Sequence, residues 1–400
     1  MANKNTKLQK HERTGWMTFL KDVLICSLGA YGGPEAHYGV FVDQMVVKKE
    51  YLTEEEIAEL IALTSILPGP SSTQTIVSIG YKVGGPFLAL LTLLVWAVPV
   101  LIVMTLLSFV SGFLDTMNVS RDGLRYIGPM AVGFIIVAAY RIGRKVVTNK
   151  MTLGLLLFGA ITTYFIRQPW IYPVVLVLGG LVSIKTSQEE NLWNRVKIRP
   201  NWSYMIVFAV FALGSLFLSL ICSNKILHLF ENFYRYGYLV IGGGQVVVPL
   251  MYSELVEVNK FMTSQEFLTG FGLVQGLPGP MFSFSAYAGG MAAREGGVLF
   301  QVLGAGASGI GIFMPGLLLI FFVYPLWESI KEIKGIKISL QGITAVAAGL
   351  IAVAAVILME KSGLALDTFL VTFFTVMILL TKRIPAPLIV LATLLIGFFV

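Results

Sequence analysis

Tyr31-Gly-Gly-Pro34 is followed by Leu67-Pro-Gly-Pro70, and the pair recurs as Ile241-Gly-Gly-Gly244 followed by Leu277-Pro-Gly-Pro280. Gly32 and Gly242 are 210 residues apart, as are Pro68 and Pro278, so the 36-residue spacing from glycines to Pro-Gly-Pro is kept without insertion. Thr53 matches Thr263, Glu56 matches Glu266 and Leu63 matches Leu273 in the same register. Two breaks and the positions between them at one fixed offset mark an internal duplication.

Working outward, the chain is 56% hydrophobic and 13% charged with a mean hydropathy of +0.80. That is more apolar side chain than a water-soluble domain can hide. Charge-free runs such as Pro86 to Gly112 and Met151 to Ile166 suit a hydrocarbon core of about 30 Å. The expected fold class is therefore an all-α polytopic membrane protein in a lipid bilayer. The longest polar stretch, Lys185 to Asn201, is too short to fold alone. The net charge of +7 is spread over short loops, which reads as a topological signal and not as a nucleic-acid surface. Cys26 and Cys222 lie in or beside apolar segments without metal-like spacing, and neither a cofactor nor a metal is expected.

Apolar segments fall near 17–47, 53–81, 86–113, 124–147, 151–166 and 169–184, then at 203–222, and again at 227–252, 263–292, 297–325, 338–359, 365–381 and 384–400. This divides the chain into a cytoplasmic N-terminal tail (1–16), a first repeat (17–184), a charged linker with an extra transmembrane helix (185–226) and a second repeat (227–400). If each six-segment unit crosses an even number of times, the single helix between them inverts the second unit. Inverted repeats are the plan of many secondary transporters. With thirteen crossings and the N-terminus inside, 20 of the 29 basic residues, Lys82, Lys145, Lys260 and Lys337 among them, fall on the cytoplasmic side. The C-terminus is then outside. The broken segments are either broken crossings or half-membrane hairpins; hairpins would change the side of Lys48 and Lys49, and the sequence leaves both open.

Pro68-Gly69-Pro70 ends one helix and leaves Ser71 onward to start another. A helix N-terminus at membrane depth carries unpaired amides and the positive end of a dipole, which favours an anion. Ser71, Ser72, Thr73 and Gln74 add donors after the first break, whereas the second copy offers Met281, Phe282, Ser283, Phe284 and Ser285, with Gln275 just before it. Gly32, Gly33, Gly242, Gly243 and Gly244 permit unwound backbone or close helix packing. The expected binding residues are these together with Pro68, Gly69, Pro70, Pro278, Gly279 and Pro280. Glu35, His37 and Asp43 follow the first glycine pair and are candidates for coupling or tuning; the competing reading leaves them solvated near the interface. Arg235 has the charge to attract an anion, but Glu231 one turn earlier is placed to neutralise it. Thr53 and Glu56 have capping-box spacing.

At these residues the chain resembles the chromate ion transporter family in its long, two-domain form. Tyr31-Gly-Gly-Pro-Glu-Ala-His37, Leu67-Pro-Gly-Pro-Ser-Ser-Thr-Gln74 with Ile79-Gly80, and Gln275-Gly-Leu-Pro-Gly-Pro280 with Tyr287 and Gly289 carry the likeness. Tyr31 stands where the family usually has Phe, and Ser65 where its first half often has Gln. The resemblance implies a bacterial inner-membrane exporter of chromate, with sulfate as a close analogue; a homodimer is compatible with it. The residues alone reach only a secondary transporter for a small anion. An uptake or exchange carrier for sulfate, and a membrane-embedded enzyme or receptor, are the alternatives.

Overall fold

The structure is a computed structural model that describes residues 15–116, 122–189, 191–193, 200–241, 244–331, 333–363 and 365–399. The tail expected at 1–16 lies almost wholly outside these residues. The described residues form helices and no strands. The first repeat holds α1 (Trp16–Gly29), α2 (Pro34–Phe41) continued by a π-helical turn (Val42–Lys48), α3 (Glu54–Ile66), α4 (Ser71–Thr116), α5 (Ile127–Val146), α6 (Lys150–Phe165) and α7 (Ile171–Thr186). After the linking helix α8 (Trp202–Ile221), the second repeat holds α9 (Lys225–Leu239), a 3-10 turn (Gly244–Val247), α10 (Val248–Tyr252) with a π-helical turn (Ser253–Val258) and α11 (Ser264–Gln275). Beyond its Pro-Gly-Pro come a 3-10 turn (Met281–Ser283), α12 (Phe284–Ala293), α13 (Val298–Val323), α14 (Trp327–Ile330), α15 (Lys334–Ser362), α16 (Leu366–Thr381) and α17 (Ala386–Phe399).

Local sequence explains the boundaries. Thr53 with Glu56 and Thr263 with Glu266 form reciprocal capping boxes that start α3 and α11 at the same register of each repeat. Asn149, Asn201 and Asn224 cap α6, α8 and α9 with their side-chain oxygens. α4 is two helices joined at Gly84 and Gly85, where Gly85 has φ 75°. The arms run antiparallel, so that the Trp96 indole N–H donates to Thr73 Oγ1 at 3.1 Å.

The broken segments do not cross. Lys82, after the first arm of α4, pairs with Glu56, at the start of α3, at 3.0 Å. The α3–α4 hairpin therefore returns to the end it entered. Tyr51 packs edge-on against Phe19 at 5.2 Å and donates to Asp22, so the α1–α2 hairpin does the same. Trp16 stacks on Phe87 at 5.7 Å, which places both hairpins' open ends together. In the second repeat Arg294 pairs with Glu266 at 2.6 Å, Lys225 with Glu295 at 3.5 Å, and Lys225 lies over the Phe261 ring. At 13 and 14 residues, α3 and α1 span only about 20 Å each.

The two sets of hairpins open at opposite ends of the molecule. α13 shows this directly: Gln301 near its start donates to the Ser108 carbonyl at 2.9 Å, beyond the far end of the hairpins of the first repeat, while Phe321 near its end meets Tyr81 at 5.8 Å beside Lys82. α8 begins beside Phe322 and ends just before α9, making the same journey in reverse. Among the described residues, nine helices run between the ends: α4 through its second arm, α5, α8, α13 and α15, which are long and apolar enough to cross a membrane, and the shorter apolar helices α6, α7, α16 and α17. The expectation of thirteen crossings is corrected to nine, because each broken segment turns back at mid-depth. Parity is unchanged. Lys48 and Lys49 move to the side of Lys82 as expected, and Lys260 moves away from it, which the sequence reading overlooked.

The repeats also exchange their last helices. α15 of the second repeat packs on α6 and α7 of the first, and α5 of the first packs on α16 and α17 of the second. Small residues permit the approach: a side chain at Gly159 or Gly179 would collide with α15 at Val346 and Gly342. This mutual exchange is what a pseudo-two-fold relation produces. α8 lies outside it, with most of its apolar surface turned outward as a lipid-facing helix.

Two outcomes test this fold. Single cysteines at Glu50, Lys82, Lys145 and Lys337 should react with an impermeant thiol reagent from one side only, and those at Lys225, Lys260 and Lys361 only from the other; a crossing first segment would separate Glu50 from Lys82. Gly69 has φ 129° and a Cβ there would lie 2.6 Å from Gln74 Nε2, while Gly279 has φ 96° and faces Val100 at 3.0 Å. Replacing either by Ala should cost about 1–3 kcal/mol, read as a lower Tm of the detergent-solubilised protein.

Candidate functional site

The four hairpin tips meet inside the molecule, and backbone atoms join them. Gly69 N–H donates to the carbonyl of Val240 at 2.7 Å, and Gly279 N–H donates to the carbonyl of Ala30 at 2.8 Å. Ala30 and Val240 follow α1 and α9 and are equivalent at the 210-residue offset. Each Pro-Gly-Pro tip is thus bonded to the glycine-rich tip of the other repeat. Gly32 and Gly33 lead into α2, Gly244 opens a 3-10 turn, and Gly242 and Gly243 lie outside the described residues. Directly after the prolines, α4 starts at Ser71 and the 3-10 turn into α12 at Met281. Their first amides have no preceding turn to bond to, since Gln74 N–H and Ser283 N–H are the first to reach back, to Pro70 and Pro280.

In the first repeat Ser72, Thr73 and the Gln74 amide nitrogen are engaged within the protein, while Gln74 Oε1 and His37 Nε2 are buried without a partner among the described residues. Ser71 is half-buried, while Ser72, Thr73 and Gln74 are buried. Ser72 Oγ lies 3.0 Å from His37 Nδ1, which ties α4 to α2. Thr73 accepts from Trp96, whose own carbonyl accepts from Ser27 at 2.8 Å. Gln74 Nε2 donates to the Pro68 carbonyl at 2.8 Å and so braces the turn it follows. His37 is 2% exposed and stands edge-on to Trp96 at 5.5 Å. Trp96 and Ser27, absent from the sequence reading, hold this corner together; an indole in a long apolar run gave no signal by itself.

The second repeat is built differently around its tip. Phe284, at the position of Gln74, packs edge-on against Phe267 and Phe271. Gln275 and Ser283 are buried on either side of Pro278-Gly279-Pro280. Gly279 faces Val100, one turn beyond Trp96 on α4, and Ser27. The tip of the second repeat therefore rests on the wall that carries Trp96.

Most charge is handled away from the tips, with Glu35 in the first turn after Gly32-Gly33 the exception. Glu35 is exposed on α2, and Asp43 is exposed and paired with Lys48 at 2.6 Å. Arg235 is clamped by Glu231 at 2.8 Å and Glu254 at 2.7 Å, with Asn232 accepting at 3.1 Å. The guanidinium thus has two carboxylates for its one charge. Asp22, which the sequence reading did not single out, is 2% exposed and accepts from Gln44 at 2.9 Å and Tyr51 at 2.7 Å, with Lys49 at 3.2 Å. The Lys21-Asp22 pair within a largely apolar 14-residue helix was the available signal. Gln44 and Glu254 are equivalent positions on the two π-helical turns, and each ties its turn to the preceding half-helix. Among the described residues no group of three or more His, Cys, Asp or Glu could hold a metal ion.

Residues 17–184 and 227–398 each match the chromate transporter family model. A probable chromate transport protein of Synechococcus elongatus is 26% identical over 92% of both chains. A chromate transport protein of Cupriavidus metallidurans is 24% identical over 92% of this chain and 88% of its own. An uncharacterized transporter of Bacillus subtilis, 24% identical, is matched over 92% of its length by only 40% of this chain, the size of one repeat. No solved structure matches. With both repeats matched and most of its length covered, the chain belongs to the chromate transporter family.

Proposed function

We propose that the chain is a secondary transporter that exports a small oxyanion, chromate with sulfate as its close analogue, across the bacterial inner membrane. The observation that carries this reading is the meeting of inverted half-membrane hairpins, which brings helix N-termini to mid-depth from both ends of the molecule. The anion sits between the Pro-Gly-Pro tips, facing the free amides after Pro70 and Pro280. A helix terminus contributes about 0.3–2 kcal/mol toward a negative charge, so converging termini and hydroxyls hold a dianion without a fixed cation. Arg235, neutralised by two carboxylates, leaves the site dependent on dipoles. Weak binding suits a carrier, which must release. His37 and Glu35 tune the site. The end that carries Lys82, Lys145 and Lys337 faces the cytoplasm, with the C-terminus outside.

Energetics favour the outward direction. Each elementary charge moving through the membrane is worth about 2.3 kcal/mol per 100 mV, so a dianion leaving a negative cytoplasm gains about 4.6 kcal/mol. At about 1.4 kcal/mol per decade this sustains a gradient of more than about a thousandfold without a coupling ion. Uptake would need more than two protons or sodium ions per dianion and free carboxylates to carry them. The buried acids Asp22, Glu231 and Glu254 are already held by donors.

Inverted membrane vesicles with labelled chromate or sulfate test this. An imposed interior-positive potential should drive accumulation, and a pH gradient alone should not. Accumulation that follows only the pH gradient would refute potential-driven export, and counterflow alone would point to exchange.

A further inference from the structure

Around the Pro-Gly-Pro tip of the second repeat, three buried side chains have no hydrogen-bond partner among the described residues: Gln275 through Nε2, Ser283 and Ser285 through Oγ. Ser283 and Ser285 are 0% exposed and Gln275 is 5% exposed. In the first repeat Gln74 Oε1, which can only accept, and His37 Nε2 are also buried without a partner among the described residues, but the positions equivalent to Gln275, Ser283 and Ser285 are bonded. Ser65, equivalent to Gln275, donates to the Ala62 carbonyl; Thr73, equivalent to Ser283, accepts from Trp96; Thr75, equivalent to Ser285, bonds both Thr64 and the Ser71 carbonyl. Thr64 corresponds to Val274, so the partner of Ser285 has been lost from the second repeat. Leaving a buried polar group unpaired is costly, and three on one hairpin call for a further acceptor.

Gln275 and Ser283 lie on the two sides of the tip, whereas Ser285, two residues further along the helix, projects from a different side of it. Gln275 is the last residue of α11 and Ser283 closes the 3-10 turn after the tip, which packs on α11 and on α4. Gln275 and Ser283 can both donate. They flank a helix N-terminus whose dipole has the same preference for negative charge.

We infer that the side-chain donors for the transported oxyanion come from the second repeat, from Gln275 and Ser283, and that the richer row from Ser71 to Gln74 mainly holds the first repeat together. This rests on the oxyanion reading of the tips and assigns its ligands. Side chains that bind substrate and carry no internal bond should be removable without loss of stability.

The test uses the purified full-length protein in nanodiscs, with chromate and sulfate titrated by calorimetry and Tm measured on the same samples. Ser283→Ala and Gln275→Met should each weaken binding about tenfold or more while leaving Tm at or above that of the unsubstituted protein. Thr73→Val, which removes the acceptor of Trp96, should lower Tm. Unchanged affinity in the Gln275 and Ser283 variants, with the unsubstituted protein binding normally, would overturn this assignment alone. A lower Tm in those variants would show internal structural roles and also overturn it. Failure of the unsubstituted protein to bind either anion would overturn the oxyanion reading and this inference together.

Discussion

Two crossed backbone hydrogen bonds, Gly69 to Val240 and Gly279 to Ala30, hold the centre of the molecule. A hairpin that turns back at mid-depth breaks its helices there, and freed backbone groups in a membrane must be bonded or must line a polar cavity. Neither repeat satisfies the glycine amide of its own tip. Each supplies the carbonyl that the other needs, at equivalent residues, so the tips are stable only where both repeats are present in opposite orientation. Glycine is required at the donor because positive φ points the amide out of the turn, and because the next helix begins two residues later, with no room for a side chain.

The exchange of outer helices serves the same end on a larger scale. α15 fills the angle between α6 and α7, and α5 packs on α16 and α17, so the repeats are interlocked around the tips. By contrast, the ion pairs at the hairpin ends, Glu56 with Lys82, Glu59 with Lys331 and Lys225 with Glu295, are at least partly exposed. Pairs of that kind are worth about 0–1 kcal/mol. The centre is tied by buried bonds and the ends by weak ones.

Duplication preserved the backbone and redistributed the polarity. The π-helical turn is anchored by Gln44 reaching Asp22 in one repeat and by Glu254 reaching Arg235 and Tyr236 in the other. Ser72 and Gln74 are replaced by Phe282 and Phe284, yet the repeat with fewer hydroxyls is the one whose hydroxyls are unpaired. Polar side chains counted along a sequence do not distinguish groups that are free to bind from groups already used in holding the chain.

The sequence by itself determined the membrane class, the duplication, its register and the inversion, because these follow from hydropathy, spacing and parity, and need no knowledge of contacts. Capping boxes at Thr53 and Thr263 and helix breaks at Pro68 and Pro278 were legible for the same reason, since a few neighbouring residues decide them. Whether a broken segment crosses or returns was decided by pairs such as Glu56 with Lys82 and Lys225 with Glu295, which join different helices. The buried role of Asp22, the clamp on Arg235, and the contrast between Thr73 and Ser283 also belong to the tertiary structure. A side chain's partner is set by what packs across from it, and only the folded chain brings Trp96 to Thr73 while leaving Ser283 without a partner.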